Sequence, residues 1–179
     1  MTSLQTLDDA DRRAVAGWAA DCAEHVLGLF EADAPDDQRP REAIDRARAY
    51  SRGELSAAGE IKRRFVAGRA AGAATTEAGV SAARAAAQAA AVAHVGSHAL
   101  GAAAYAARAA ALASPGDPGA LDDEVRWQLG RMTGDVRAAL RLLPRLGEDR
   151  SGPLGPGLLA SGLLGAAIRQ IQDALATPE

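Results

Sequence analysis

The sequence predicts an all-α fold, a single-domain bundle of six or seven helices with an alanine-rich central helix pair. Between residues 80 and 113, nineteen of thirty-four residues are alanine, and Arg84 and Arg108 are the only full charges. Alanine is the best helix former, and a stretch with so little charge is expected to be buried. No segment alternates apolar and polar residues with the period of two that is typical of a strand.

Length and composition predict one domain whose core is built from small side chains. The chain has 179 residues, which suits a single helical domain over residues 1–179. Apolar residues make up 48% of the sequence but aromatic residues only 3%. Since small side chains bury little area each, we expect the fold to depend on many close helix contacts.

The first helix is predicted over residues 8–31. Its apolar residues recur three or four positions apart from Val15 to Phe30, which is typical of one buried helix face. Thr6 or Asp8 can cap the helix, and acidic residues in the first turn suit the positive end of the helix dipole.

Two further helices are predicted before the alanine run. One spans residues 41–52, follows Pro40, which is well suited to a first-turn position, and ends at Gly53. The next begins at Ser56 and ends before Thr75.

The alanine run is predicted to form two helices, over residues 77–94 and 97–113, with a turn at Val95 and Gly96. A single bent helix is the alternative. Breaker-rich linkers at 114–119 and 147–157 then delimit a helix over residues 122–143. A last helix is predicted over residues 158–176.

Charge and cysteine content narrow the classes of function. Net charge is −3, but residues 1–60 hold thirteen acidic and seven basic side chains, so the N-terminal third suits a basic partner or is simply a solvated surface. Nucleic acid is not an expected partner, because no dense basic patch with interleaved aromatics is present. Cys22 is the only cysteine, which excludes an intramolecular disulfide.

We expect a cytoplasmic protein that does not enter a membrane. The N-terminal residues are polar and acidic, unlike a signal peptide. The alanine run is only weakly apolar, and histidine, glycine and serine interrupt its centre.

His94 and His98 are the most conspicuous candidate site. Four residues apart, they would share a face of a continuous helix and could hold a metal, but no third ligand or His-Glu-x-x-His pattern accompanies them. We therefore predict no metal and no other cofactor, and a structural role for both residues at the helix junction. The alternative is a small ligand pocket near His94, His98 and Tyr105.

The candidate partner-binding residues are charged or aromatic, and we predict them to be Asp36, Asp37, Arg39, Arg41, Glu42 and Trp127. Asp45 is spaced to form ion pairs with Arg41 and Arg48 along one helix. Trp18 is expected to anchor the edge of the core. Trp127 lies off the main apolar stripe of its helix, so it packs on a neighbour or is partly exposed, as a binding hot spot would be.

No pattern predicts an enzyme. The sequence contains no Gly-x-Ser-x-Gly, no phosphate loop with lysine and no dinucleotide-binding glycine motif. We predict no catalytic residues.

Three stretches carry a family resemblance. They are Trp18-x-x-x-Cys22-Ala23-Glu24 with Leu29-Phe30-Glu31 and Asp36-Asp37-x-Arg39-Pro40-Arg41-x-Ala43-Ile44; Ala93-His94-x-x-x-His98-Ala99-Leu100-Gly101-Ala102-Ala103-x-Tyr105-Ala106; and Arg126-Trp127-Gln128-Leu129. Together they resemble the immunity-five-like family of immunity proteins from bacterial polymorphic-toxin systems. The resemblance covers most of residues 10–143.

The resemblance implies a small helical protein that binds a cognate protein toxin and blocks it without catalysis. The acidic N-terminal third would suit a toxin with a basic surface. A ligand-binding or regulatory helical domain is the competing interpretation. Close-packing alanine faces also make a homodimer an open expectation.

Overall fold

The computed structural model of the chain describes residues 3–63 and 65–177, and within these ranges it contains only helices and connecting loops. The α-helices are α1 (Asp9–Asp33), α2 (Arg39–Ser51), α3 (Ala57–Arg63), α4 (Val66–Ala70), α5 (Glu77–Ala91), α6 (His98–Ala113), α7 (Ala120–Gly130), α8 (Gly134–Arg141) and α9 (Gly162–Ala176). Single 3-10 turns lie at Leu4–Thr6, Ala71–Ala73 and Leu158–Ala160. The all-α class is confirmed, but these described residues form more helices than the six or seven predicted.

The prediction of one helix over residues 122–143 is wrong. The chain leaves the helix after Gly130 and re-enters it at Gly134. Between the two glycines, Thr133 has an extended backbone, and its hydroxyl accepts a hydrogen bond of 3.3 Å from the Val136 N–H. A threonine in this position caps a new helix, and poor helix formers on both sides favour the break.

The predicted third helix is also divided, into α3, α4 and the 3-10 turn Ala71–Ala73. The last helix, α9, begins at Gly162, and the predicted start at residue 158 is a 3-10 turn instead. The first helix agrees closely with its prediction, and the Asp8 side chain caps it by accepting a 2.8 Å hydrogen bond from the Asp11 N–H.

The alanine run forms the two helices α5 and α6, which pack on each other more extensively than any other pair of helices in the described chain. Helix α6 also contacts α1, α7 and α9, and every residue from Ala99 to Ala107 is buried. A helix that is buried on all sides can have neighbours this close only if its side chains are small. Alanine therefore places α6 at the centre of the fold.

The buried apolar side chains belong to one cluster that extends from Val15 on α1 to Leu175 on α9. The alanine faces that suggested a homodimer lie inside this cluster, so they give the dimer no support and it stays a prediction. No helix in the described ranges has the length and apolar character required to cross a lipid bilayer.

The N-terminal turn closes over the junction between α5 and α6. The Gly96 N–H donates to the Thr6 carbonyl at 3.1 Å, and the Ser97 N–H donates to the Gln5 carbonyl at 3.0 Å. A Cβ atom at Gly96 would lie 2.6 Å from the Leu7 side chain. Only glycine permits this approach, which explains why the break between the two helices falls here.

Gln5 joins this junction to the loop before α9, and sequence inspection gave no sign of it. The side chain is 1% exposed, and its amide N–H groups donate to Asp149 Oδ2 at 2.8 Å and to the Ser151 carbonyl at 2.6 Å. Its Oε1 accepts from Ser97 Oγ at 3.2 Å and from the Leu154 N–H at 3.0 Å. Every hydrogen-bonding group of the buried amide is therefore satisfied.

Candidate functional site

The charged corner between α1 and α2 is largely neutralised within the chain. Asp37 accepts a 2.8 Å hydrogen bond from Arg39 Nε, and this bond holds the pKa of the carboxyl below its usual value. Arg41 binds Glu31 of α1 through Nε at 2.7 Å. These paired groups are less available to a partner than the sequence indicated.

The predicted ion pairs of Asp45 with Arg41 and Arg48 are wrong. Both arginines pair with carboxylates on α1 instead, Arg41 with Glu31 and Arg48 with Glu24. The hydrogen bond to Glu24 raises the pKa of Arg48 further. Asp45 is exposed, so the ion pairs fasten α2 to α1 rather than stabilise α2 on its own.

Trp127 lies away from this corner, against α1. Its indole stacks on the imidazole of His25, with ring centroids 3.7 Å apart and planes 4° from parallel. The guanidinium of Arg131 lies 5.7 Å from the Trp127 ring centroid. The sequence allows either packing on a neighbouring helix or partial exposure for Trp127. The ring has both properties, because it is half-buried and packs on His25 of α1.

Trp127 and His25 form one wall of a groove of about 580 Å³ between α1, the end of α6 and α7. We call this surface the Trp127 groove; its lining residues are His25, Val26, Gly28, Leu29, Ala110, Ala113, Ser114, Asp117, Ala120, Asp123, Glu124 and Trp127. None of the five candidate residues at the charged corner is among them. The predicted partner-binding residues therefore occupy two separate surfaces.

A chain of polar groups that begins at exposed His25 and continues through buried Glu124 and Gln128 supports the groove. His25 Nδ1 lies 2.7 Å from Oε2 of Glu124, and Oε1 of the same carboxylate accepts a 3.0 Å hydrogen bond from Gln128 Nε2. That amide also donates to the Ala103 carbonyl on central helix α6, and Trp18 Nε1 donates to the Gln128 carbonyl at 2.9 Å. Trp18, at 2% exposed, thus lies in the core rather than at its edge.

Cys22 lies within this same buried region of α1. Burial raises the pKa of its thiol well above the usual value, and the negative charge of Glu124 raises it further. A thiol held neutral in this way is a core side chain, because the thiolate is the form that reacts.

His94 and His98 line a second concave surface, a cleft of about 390 Å³ between α4, α5 and α6. The Nδ1 atom of His98 lies 2.8 Å from Oε1 of Gln88 on α5, whereas His94 is exposed. Tyr105 lines the same cleft and is 4% exposed. The structure thus brings the three residues together, and His98 has the contact between helices expected of a structural role.

The two histidines do not belong to a metal site in the part of the chain that the structure describes. No group of three or more His, Cys, Asp or Glu side chains there has the proximity to hold a metal ion. The cleft residues beside the histidines include no carboxylate and no thiol.

Sequence inspection missed the pairing of His25 with Glu124, which is the polar centre of the Trp127 groove. One local signal was available, since Glu124 and Gln128 are four residues apart on α7 and share a face. The partner His25 lies on α1, ninety-nine residues away in sequence. Only the tertiary fold brings these residues together.

Comparison with known proteins places the chain in a family. Its residues 5–135 match the model of the family described as "Imm-5 like putative immunity protein". Neither a curated protein nor a solved structure matches the chain. The match includes α1 to α7, hence both concave surfaces, and spans well over half of the 179 residues. The chain therefore belongs to the Imm-5 like putative immunity protein family.

Proposed function

We propose that this chain is an immunity protein that neutralises a cognate protein toxin by binding it inside the cell that makes both. In this proposal the contact is made by the Trp127 groove, and no bond is made or broken. The single observation that carries the choice of surface is the half-buried Trp127 stacked on His25 at the wall of the groove.

The composition of the groove is typical of a binding hot spot. Tryptophan is among the residues that contribute most to binding energy, above all when the side chains around it exclude water. Here the neighbour is the His25 ring, which the buried Glu124 carboxylate holds in place. Val26 and Leu29 add apolar surface on α1. Because the wall is already fixed, binding would cost little side-chain ordering.

The charge of the groove indicates what it would bind. Asp117, Asp123 and Glu124 line it, and no lysine or arginine is among the described residues that form its surface. Asp123 is paired with the exposed Arg126, so Asp117 and Glu124 carry the acidic character of the groove. Glu124 is 6% exposed, so its charge acts in a poorly solvated setting. A basic segment of the toxin, with an aliphatic portion against Trp127, fits this surface.

We assign a different role to the charged corner of Asp36, Asp37, Arg39, Arg41 and Glu42. Asp36 and Glu42 are exposed, while the other three charges are paired within the chain. Exposed charges outside a buried contact mainly change the rate of association and its dependence on salt. The corner would therefore attract a basic toxin without holding it.

The test uses a toxin domain identified by pulldown with this chain from its native cells, titrated with the wild-type protein and with Trp127→Ala. Truncation of a hot-spot residue costs about 2–4 kcal/mol, so we expect the affinity to fall by a factor between about thirty and several hundred, through faster dissociation. Leu158→Ala is the matched control, because Leu158 is 64% exposed and lies outside the groove. Calorimetry and surface plasmon resonance give the affinity and rates, and thermal melting checks the fold of each variant.

A second variant, the triple substitution D36K/D37K/E42K, separates the two surfaces. We expect it to slow association and weaken its salt dependence while leaving the dissociation rate unchanged. If the triple variant abolished binding and Trp127→Ala did not, the corner would be the interface. If the wild-type protein neither bound the toxin domain nor protected cells from it, the proposed function would be wrong.

A further inference from the structure

The cleft that contains His94 and His98 is basic, which is unexpected in a chain whose net charge is −3. Its charged lining residues are Arg69 on α4 and Arg84 on α5. The remaining polar side chains that line it are Gln88, the two histidines and Tyr105, and no carboxylate of the described chain does so.

The two arginines are, like Arg63 and Arg150, not paired within the described chain, but these two share one cleft. Neither Arg69 nor Arg84 forms a side-chain hydrogen bond or ion pair with the described residues, whereas Arg13, Arg46 and Arg48, for example, each bind a carboxylate. Both are exposed, and no carboxylate lies beside them in the cleft lining. This charge distribution favours an anion in the cleft.

Tyr105 provides an independent indication of a ligand. The residue is 96% buried, and its hydroxyl makes no hydrogen bond with the described part of the chain. Gln128 Oε1 is the only unpartnered buried side-chain atom found there, so the Tyr105 hydroxyl is not sealed inside the protein and reaches the cleft. The hydroxyl of this otherwise buried residue can therefore bond to a ligand in the cleft in place of water.

We propose that this cleft binds the phosphate group of a small organic phosphate monoester. Guanidinium groups match the geometry of phosphate oxygens with paired N–H donors, and the Tyr105 hydroxyl and the exposed His94 imidazole supply further donors. The volume of about 390 Å³ is more than a bare phosphate ion fills and lies within the range of small-molecule sites. Phe65, 63% exposed, and Ala87 and Ala91 provide apolar surface for the organic part.

This inference does not rest on toxin neutralisation, and the three histidines of the chain allow it to be tested separately. Each imidazole gives one Cε1–H signal in a proton–carbon correlation spectrum. His94 and His98 line the cleft, while His25 lies in the Trp127 groove and serves as an internal control. The probes are AMP, glucose 6-phosphate, inorganic phosphate and adenosine, which lacks the phosphate group.

We expect a phosphate monoester to shift the His94 and His98 signals with saturation, to leave the His25 signal in place, and to bind about tenfold more tightly than inorganic phosphate. Adenosine should shift none of the three. Arg84→Gln and Tyr105→Phe should each weaken binding about tenfold, because each removes a donor without breaking an intramolecular bond. Arg150→Gln, which removes the charge of an exposed arginine outside the cleft, should leave binding unchanged.

Three results would overturn the proposal. One is the absence of shifts with both monoesters at millimolar concentration. A second is equal binding of AMP with adenosine or with inorganic phosphate. The third is an equal loss of affinity in Arg84→Gln and Arg150→Gln, which would indicate attraction by net charge rather than a built site.

Discussion

The two concave surfaces differ in how their polar groups are satisfied. In the Trp127 groove, Glu124 accepts hydrogen bonds from His25 and Gln128, and Gln128 reaches the backbone of the central helix. In the basic cleft, Arg84 and the Tyr105 hydroxyl have no partner in the described chain. In the groove network, Gln128 Oε1 alone lacks a partner among the described residues. Polar groups bonded within the chain make a rigid surface, whereas the donors of the cleft that have no partner in the described chain are available to a ligand.

The surfaces also differ in charge and in the chain contacts that build them. Carboxylates line the groove, and arginines line the cleft. The groove depends on side-chain contacts between α7 and α1, which are far apart in sequence, while the three cleft helices, α4, α5 and α6, follow one another along the chain. One small fold thus presents an acidic surface suited to a basic protein segment and a basic surface suited to a small anion.

The largest stability effect is expected for Glu124→Ala in the groove. Loss of the carboxylate leaves the Gln128 amide, which is fully buried, without one of its partners and frees His25 from α7. We expect the free energy of unfolding to fall by about 3 kcal/mol, since each buried unsatisfied group costs ~1–3 kcal/mol. Urea titration measures the change.

Asp123→Ala is the matched control for this prediction, because the neighbouring carboxylate is 65% exposed and pairs only with the exposed Arg126. Its free energy of unfolding should stay within about 0.5 kcal/mol of the wild-type value. Similar losses in both variants would mean that the buried network does not support the groove.

A pair of glycine-to-alanine substitutions compares the space available to a new Cβ atom near each surface. Gly28 in the groove lies within α1 and has open space where a Cβ would be, so Gly28→Ala should stabilise the protein by about 1 kcal/mol. Gly101, which lies on α6 beside the cleft residue Gln88, has the Gln88 amide and Leu159 in that space. Gly101→Ala should therefore gain less stability than Gly28→Ala.

The same pair gives a spectroscopic readout. A Cβ at residue 101 displaces Gln88, which makes the 2.8 Å contact with His98. The His98 ring signal should move in Gly101→Ala and stay in Gly28→Ala. An unchanged His98 signal in Gly101→Ala would show that Gln88 does not position this ring.

The smallest stability effects are expected for Arg84→Gln and Tyr105→Phe in the cleft. Neither side chain loses an intramolecular hydrogen bond, so each free energy of unfolding should change by less than about 0.5 kcal/mol in thermal melting without ligand. If either variant lost as much free energy of unfolding as Glu124→Ala, the cleft donors would support the fold. The proposed difference between the groove and the cleft would then be wrong.

A structural feature could be predicted from the sequence when the residues that determine it lie close together in the chain. The alanine run and the break at Gly96 are local, and the predicted helix pair has nearly the bounds of α5 and α6. The break at Thr133 is also local, but the regular apolar spacing over residues 122–143 concealed the capping threonine. The spacing of apolar residues indicates which face of a helix is buried, but it does not indicate where one helix ends and the next begins.

The candidate sites were harder to predict, because each depends on contacts between distant segments. Trp127 was recognised as an off-stripe aromatic residue, but nothing local pairs it with His25 on α1. The ion pairs expected along α2 formed with α1 instead, since carboxylates on a packed neighbour lie closer to the arginines than Asp45 does. Gln5 contacts residues more than ninety positions away and gives no local signal.

The most direct test follows the three histidine ring signals during titration with the toxin domain identified by pulldown. His25 is stacked on Trp127, so binding at the groove must change its environment, while His94 and His98 line the cleft. We predict that the His25 signal shifts to saturation at one equivalent of toxin and that the other two stay in place. Saturating shifts of His94 and His98 with an unmoved His25 would contradict the assignment of the Trp127 groove as the toxin-binding surface.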